Sequence, residues 1–466
     1  MDIQIPKQLY KIIKTFQDNN YEIFIVGGAV RDILMKNTTY DWDMTTNATP
    51  DEMLKILPEA YYDNQFGTVG VSNEIDGKRP YEITTFRTES GYSDTRHPDS
   101  VTWGKTLDED LSRREATISA MAFQITSKMA GSYSNNQESK EFAINVELID
   151  KYNGKRDLDE KIFRAVGNPD ERYREDALRM MRAIRISSQL GFTIEEKTFN
   201  GIKNNAGLIN KIAKERVRDE LLKIFQSSYP YEGMVLFHNS GLLKEVLPEM
   251  EVTFGIEQKS PGRHHIYDVG THSLRSLKNC PSKDPIVRFA TFIHDSGKAR
   301  TYKKSETGLI TFYNHELVST TNAYNIAKKL RFSNKDTERL TKLVRWHQFS
   351  VDERQTDSAI RRFIRNVGVK NVKDMLDLRV GDRLGGGATE TSWRLEEFKN
   401  RLIDVQKQPF AVSDLKINGN DVMTALNIKP GKKVGEALKQ LFKKVVEKKV
   451  DNNKEDLLKE LQNTTS

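Results

Sequence analysis

The sequence predicts a multidomain α+β protein, a small mixed head followed by an all-helical remainder. Three observations carry this: 466 residues exceed one ordinary core, strand-like and helix-like stretches alternate before Asp150, and beyond it apolar residues recur at spacings of three and four. The hydrophobic fraction of 37% suffices for packed cores, and 30% charged residues indicate an extensive polar surface.

Taken in order, Met1 to Asn20 reads as an amphipathic helix, without the apolar run of a secretory leader. No apolar stretch is long enough to span a bilayer, so a cytoplasmic protein with no membrane partner is expected. Tyr21 to Val26 is β-rich and runs into Gly27-Gly28, after which Ala29 to Met35 reads as a helix. Thr49, Pro50 and Glu52 have the spacing of a capping box with proline at the first helical position. Val69 to Glu74 and Tyr81 to Arg87 read as strands, and Asp108 to Phe123 as a helix. The Ser- and Asn-rich stretch Ser127 to Glu141 reads as a loop inserted in the last hairpin of the head. Helical periodicity then governs Ala177 to Leu190, Val217 to Phe225 and Ile286 to Ile293. The expected divisions are 1–149, 150–225, 226–395 and 396–466.

Cys280 is the only cysteine, which excludes an internal disulfide framework and a thiolate zinc site. Any metal must therefore sit on His, Asp or Glu. The net charge of +7 favours polyanionic partners, because Lys and Arg neutralise phosphates, although many basic proteins bind no nucleic acid.

The glycine turn Gly27-Gly28 opens onto a helix start, where free N–H groups attract phosphate. A few residues on stands Asp41-Trp42-Asp43, and in a strand residues i and i+2 point to one face. Two carboxylates so placed hold Mg²⁺ ions that bridge a nucleoside triphosphate and an attacking hydroxyl. Glu82, on the next expected strand, is the natural third acid. An Asp-x-Asp in a loop is otherwise a solvated surface feature.

The run GGAVRD, then DWD, EITTFR and DLSRREATISAMAF resembles the class II tRNA nucleotidyltransferase and bacterial poly(A) polymerase family, within the polymerase-β-like superfamily. The resemblance implies that Asp41 and Asp43 are Mg²⁺ ligands and that Gly27, Gly28 and Arg31 lie around the triphosphate. It also implies that Arg113 and Arg114 contact the incoming nucleotide. The family usually reads Arg-Arg-Asp-Phe-Thr-x-Asn-Ala here, whereas this chain has Glu115, Ala116 and Ser119 at the acidic, aromatic and amide positions. A longer acid still accepts a hydrogen bond from a ribose hydroxyl, so altered nucleotide affinity is expected rather than loss of activity.

The resemblance continues through Gly154, Arg156 and Asp157, a hinge-like motif between head and neck, and through Arg174-Glu175-Asp176-Ala177-Leu178-Arg179. On a helix Asp176 and Arg179 share a face and present an acceptor and a donor to the edge of a base. Taken alone, such a pair is a helix salt bridge. Glu215 to Leu221 resembles a neck motif of structural support, and Arg87, Tyr92, Asp94, Arg96 and Trp103 fall in a stretch that resembles the flexible loop of full CCA-adding enzymes.

Six of the eight histidines lie between His264 and His347. Imidazoles and carboxylates from several helices suit a divalent transition metal. The order His272, His294-Asp295, His315, His347 and Asp382 resembles an HD-type phosphohydrolase, whose chemistry would fall on nucleotide or RNA-end phosphates. In the tail, Asn418 to Asp421 and Lys429 to Gly435 are turns entering helices, and Lys432, Lys433 and Lys439, with Lys443, Lys444, Lys448 and Lys449, are expected to meet tRNA.

The expectation is a head, neck, body and tail enzyme that adds C, C and A to tRNA from CTP and ATP without a nucleic-acid template. Its rivals are an A-adding enzyme or poly(A) polymerase, a metal phosphohydrolase whose head only binds RNA, and a non-catalytic tRNA-binding protein.

Overall fold

The structure is a computed structural model that describes residues 1–64, 67–73, 79–90, 100–104, 106–126, 141–258, 267–349, 351–352, 354–406, 412–447 and 449–463. The chain forms two compact units, Met1–Val252 with Ile326–Phe332, and Thr253–Asn325 with Ser333–Ser466. No helix among the described residues is long and apolar enough to cross a membrane.

The first unit is built on a mixed sheet. Its strands are β1 (Asp2–Pro6), β2 (Ile23–Val26), β3 (Asp43–Thr46), β4 (Ala60–Asn64), β5 (Thr68–Val71) and β6 (Tyr81–Thr85). After a separate ribbon of β7 (Arg87–Ser90) and β8 (Ser100–Trp103), β9 (Met121–Ile125) and β10 (Glu141–Asp150) complete it in the order β1-β10-β9-β2-β3-β6-β5-β4. Every neighbouring pair is antiparallel except β3 and β6, which run parallel with Asp43 opposite Glu82. Between them lie the helix Pro50–Ile56 and the β4–β5 hairpin, which supply the crossover a parallel pair requires. The helix starts as expected, with Glu52 accepting from the Thr49 N–H at 2.8 Å and its hydroxyl at 2.7 Å.

Three local expectations are corrected. Asp2–Pro6 is a strand, and the N-terminal helix spans only Lys7–Asp18, because β1 caps the sheet edge beside β10. The stretch Asp108 to Phe123 is a helix only to Ser112; Thr117–Ser119 is a 3₁₀ turn, and Met121 onward is a strand whose apolar side chains are buried between β2 and β10. An apolar run with spacings of three and four fits a buried strand as well as a helix. The polar stretch after Phe86 includes the antiparallel pairing of β7 with β8; Tyr92, Asp94 and Arg96 lie outside the described residues, as do 127–140 of the expected insertion.

The expected hinge at Gly154 is a packed joint. Asp150 accepts the N–H groups of Gly154 and Lys155 at 2.7 and 2.9 Å, and buried Asp157 takes the Thr117 hydroxyl at 2.7 Å and the Arg164 guanidinium. Arg156 points outward to Glu160. In the helix Lys214–Gln226, Glu220 is buried and pairs with Arg185 at 2.7 Å, a structural role that matches the expected support.

The second unit packs the helices Val269–Asn279, Pro285–Ile293, Asn334–Trp346 and Val372–Gly385 around a common core. Gly381 and Gly385 set the closest approach: a Cβ at either would lie 2.6 Å from the Ser276 carbonyl oxygen or 2.3 Å from its hydroxyl. That contact brings Asp382, between them, against His272, one turn before Ser276. The C-terminal helices enclose a smaller core that includes Leu415, Val422, Leu441 and Leu457.

Candidate functional site

In the first unit, a cleft of about 360 Å³ is lined by Asp43, Glu82, Arg113, Arg114, Glu115 and Arg179, among others. The parallel register explains the acids, since side chains opposite each other on adjacent strands share a face. Asp43 opens β3, and its carboxyl is pushed up, first by burial and then by the charge of Asp41, with Arg114 opposing. Asp41 lies just before the strand and is half exposed, paired with Arg79 at 2.8 Å, so the expected i, i+2 arrangement on one strand is not formed. Asp43 and Glu82 line the cleft, whereas Asp41, tied to Arg79, does not; two neighbouring carboxylates, one of them destabilised by burial, are a donor set that a divalent cation would stabilise.

Gly27 closes one side of the site. Its φ of 70° is in the left-handed region, and a Cβ there would meet the Arg114 guanidinium at 3.0 Å and the Asp43 carboxylate at 3.5 Å. Gly28 starts the next helix, where a Cβ would lie 3.6 Å from the Arg31 guanidinium, itself turned onto Asp32 at 2.8 Å.

Asp110 opens the run DLSRREATISAMAF, but sequence reasoning gave it no role. Fully buried on the helix Leu107–Ser112, it takes Arg113 at 2.6 Å and Arg114 at 3.0 Å, fixing both guanidiniums at the cleft. The i, i+3 and i, i+4 spacing after the Thr106 capping box was the available signal. Burial alone would raise the Asp110 carboxyl, but Arg114 and Arg113 outweigh it and hold it below the usual carboxylate range. Its stabilisation is therefore present above about pH 4 and lost as pH falls through the depressed folded value. Asp110→Asn is expected to cost about 3 kcal/mol, because it leaves two arginines without their buried partner. Thermal unfolding from pH 7 to pH 3 checks this: the gap between variant and parent should narrow in acid, and a pH-independent gap would reject it.

The segment expected to present Asp176 and Arg179 from one helix is two helices, Pro169–Glu175 and Leu178–Leu190. Asp176 sits at the break, where its carboxylate accepts the Leu178 N–H at 2.9 Å. Arg179 lines the cleft, held by Glu175 at 2.8 Å and the Arg113 carbonyl at 3.3 Å. Glu115 is drawn to Arg182 at 2.7 Å, Ser119 lines the cleft, and Ala116 is buried.

In the second unit the six expected ligands come together. His272 and His294 lie 3.1 and 3.5 Å from Asp382, and His315, His294 and His347 lie 3.1, 3.3 and 3.7 Å from Asp295. His294, His315 and His347 each set Nδ1 against the carbonyl three residues earlier, at 2.7, 2.9 and 2.7 Å, which turns Nε2 toward the cluster. That is the arrangement a metal-binding imidazole needs. Burial and then His294 push His347 down to about 3, whereas at His294 burial is outweighed by the Asp295 and Asp382 carboxylates, which push it up to about 10. Lys298, at the end of the run Ile293 to Lys298 that resembles the HD-type core, was given no role from the sequence; it contacts Asp295 at 2.7 Å and Gln258 at 2.6 Å.

In the tail, Lys432, Lys433 and Lys439 are exposed, whereas Lys443 and Lys449 pair with Glu447 and Lys444 with Glu460. Lys448 lies outside the described residues. The Asn418 side chain already caps the N–H groups of Asn420 and Asp421, while the helix that begins at Lys432 has no side-chain cap.

Residues 23–164 match the family described as the poly(A) polymerase head domain, and residues 191–253 the one described as the probable RNA and SrmB-binding site of polymerase A. Residues 302–461 match the tRNA nucleotidyltransferase domain 2. A CCA-adding enzyme of Ligilactobacillus salivarius is 30% identical over 470 residues, covering 97% of this chain and 95% of that protein. One from Lactobacillus helveticus is 40% identical over 236 residues, 50% of this chain, which thus spans about half (54%) of that relative's length. The Bacillus stearothermophilus CCA-adding enzyme in complex with CTP shares the fold, with a TM-score of 0.67 and 24% identity over 98% of this chain and 97% of that one. So does the Thermotoga maritima CCA-adding enzyme complexed with tRNA, with a TM-score of 0.57 and 19% identity over 99% and 97%.

Proposed function

From the premise that this chain belongs to the CCA-adding enzyme family, we propose that it transfers CMP and AMP from CTP and ATP to the 3′ end of tRNA. The observation that carries this is the meeting of Asp43 and Glu82, in register across β3 and β6, with Arg113, Arg114 and Arg179 in one cleft. The arginines bind and neutralise the triphosphate. Asp41, Asp43 and Glu82 would hold Mg²⁺, which supplies a Lewis acid for the phosphoryl oxygens. The terminal tRNA hydroxyl then attacks the α-phosphorus and pyrophosphate leaves. Glu115, paired with Arg182, positions the sugar less directly than a free carboxylate would, which supports altered nucleotide affinity.

The division into head, neck, body and tail at 1–149, 150–225, 226–395 and 396–466 belongs to the same proposal, as does tRNA contact by Lys432, Lys433 and Lys439. A second activity is favoured by the buried histidine cluster: hydrolysis of phosphate esters, with a divalent transition metal held by His272, His294, Asp295, His315, His347 and Asp382. That metal would supply a hydroxide nucleophile near neutral pH.

The direct test of the main reading is incubation of the purified protein with tRNA lacking its 3′ end, Mg²⁺, and each nucleotide singly and mixed. Addition of C, C and A is expected. A product carrying adenosines alone would reject it in favour of an A-adding enzyme or poly(A) polymerase.

A further inference from the structure

We propose that Tyr61 is a stacking platform for the base of the RNA's 3′-terminal nucleotide, the one whose hydroxyl attacks, and that it positions the growing end at the first cleft. The proposal rests on the reading of that cleft as the polymerase site and adds the place of the second substrate.

The pairing of four strands sets Asp43, Glu82, Gly70 and Tyr61 in one row: Asp43 stands opposite Glu82, Glu82 opposite Gly70, and Gly70 opposite Tyr61. Cross-strand partners share a face, so Tyr61 belongs to the face that carries the two acids, on β4, the outermost strand at that end of the sheet. Gly70 is what lets its ring turn inward. A Cβ there would lie 2.6 Å from Tyr61 Cζ, so the ring rests on the bare backbone of β5. Tyr61 is nevertheless 42% exposed, seated on one side and open to solvent on another.

The direction of the row gives the ring its role. Gly27 and Arg114, which meet beside Asp43, stand at the end of β2, on one side of β3; β6, β5 and β4 extend on the other. Attacking and leaving oxygens lie in line on opposite sides of the transferred phosphorus. Pyrophosphate held by Arg114 therefore leaves toward β2, and the RNA hydroxyl enters over β6 and β5. The floor on that side is Glu82 and then Thr84 and Thr68, whose hydroxyls bond each other at 3.1 Å. Among the described residues that line the cleft none is aromatic. The Tyr61 ring, over β5, stands two strand spacings or about 10 Å from Asp43, room for the sugar and phosphate of one nucleotide between the acids and a base on the ring. Stacking tolerates any base, which suits a chain end whose last base changes from one addition to the next.

Steady-state extension of tRNA lacking its 3′ end by the full-length protein tests this. Tyr61→Ala is expected to raise KM for tRNA by roughly tenfold and to leave KM for CTP at its parental value, while Tyr61→Phe, which keeps the ring, restores KM for tRNA. Tyr62→Ala is the control: side chains alternate along a strand, so Tyr62 faces away from the cleft and its loss should leave both constants unchanged. A tRNA ending in 5-iodouridine, irradiated with the protein in the absence of nucleotide, gives a readout that needs no turnover, and a crosslink to Tyr61, mapped by peptide mass, is expected. Aromatic residues also shield glycines in sheets. If that is all Tyr61 does, Tyr61→Ala loses thermal stability, keeps the parental KM for tRNA, and the crosslink falls elsewhere, which overturns the platform. A parent protein that adds no nucleotide to tRNA removes the polymerase reading, and the crosslink then judges the platform by itself.

Discussion

Asp43→Asn is expected to abolish nucleotide addition while leaving any hydrolysis of a small phosphodiester by the second unit unchanged. The replaced carboxylate stands opposite Glu82, next to Gly27 and within the field of Arg114, where a half-buried negative charge has no role in packing that asparagine could not fill. Losing one charged metal ligand is worth several kcal/mol in the transition state, so the rate should fall by roughly a thousandfold or more. Asp295→Ala produces the opposite pattern, because its carboxylate belongs to the histidine cluster of the other unit. Parallel assays of tRNA extension and phosphodiester hydrolysis measure both. Full extension activity in Asp43→Asn would show that the first cleft is not the polymerase site.

Arg179→Ala changes nucleotide choice more than nucleotide binding. Its guanidinium reaches the cleft while Glu175 and the Arg113 carbonyl hold it in place, so a base bound in the cleft would find its geometry already set. Losing a charged hydrogen bond costs about 1.5–3 kcal/mol, which corresponds to roughly ten- to a hundredfold in selectivity. Competition between CTP and UTP, and between ATP and GTP, reads that ratio directly. If Arg179 served only its ion pair with Glu175, the variant would lose some stability and keep the parental preference, which is the outcome that overturns a template made of side chains. Asp176 is the weaker partner in this scheme, since its carboxylate already caps the Leu178 N–H.

What the sequence determined by itself was local. The Gly27 turn, the Thr49 capping box, the acids Asp41, Asp43 and Glu82, and the order from His272 to Asp382 are short-range patterns, each readable because side-chain chemistry and backbone preference act over a few residues. Even here periodicity misled where burial was complete: Met121 to Phe123 is apolar because it lies between β2 and β10, and nothing local separates that from a helix. Only the tertiary structure decided what lies opposite what. The parallel register that pairs Asp43 with Glu82, the break that turns Asp176 into a cap, and the approach of Gly381 and Gly385 to Ser276 that seats Asp382 against His272 are contacts between distant segments. The same holds for Asp110: it opens the run DLSRREATISAMAF, but only its burial beneath two arginines shows what it does. Such contacts are selected by packing density and by the cost of leaving a buried charge unpaired, and those depend on the whole fold.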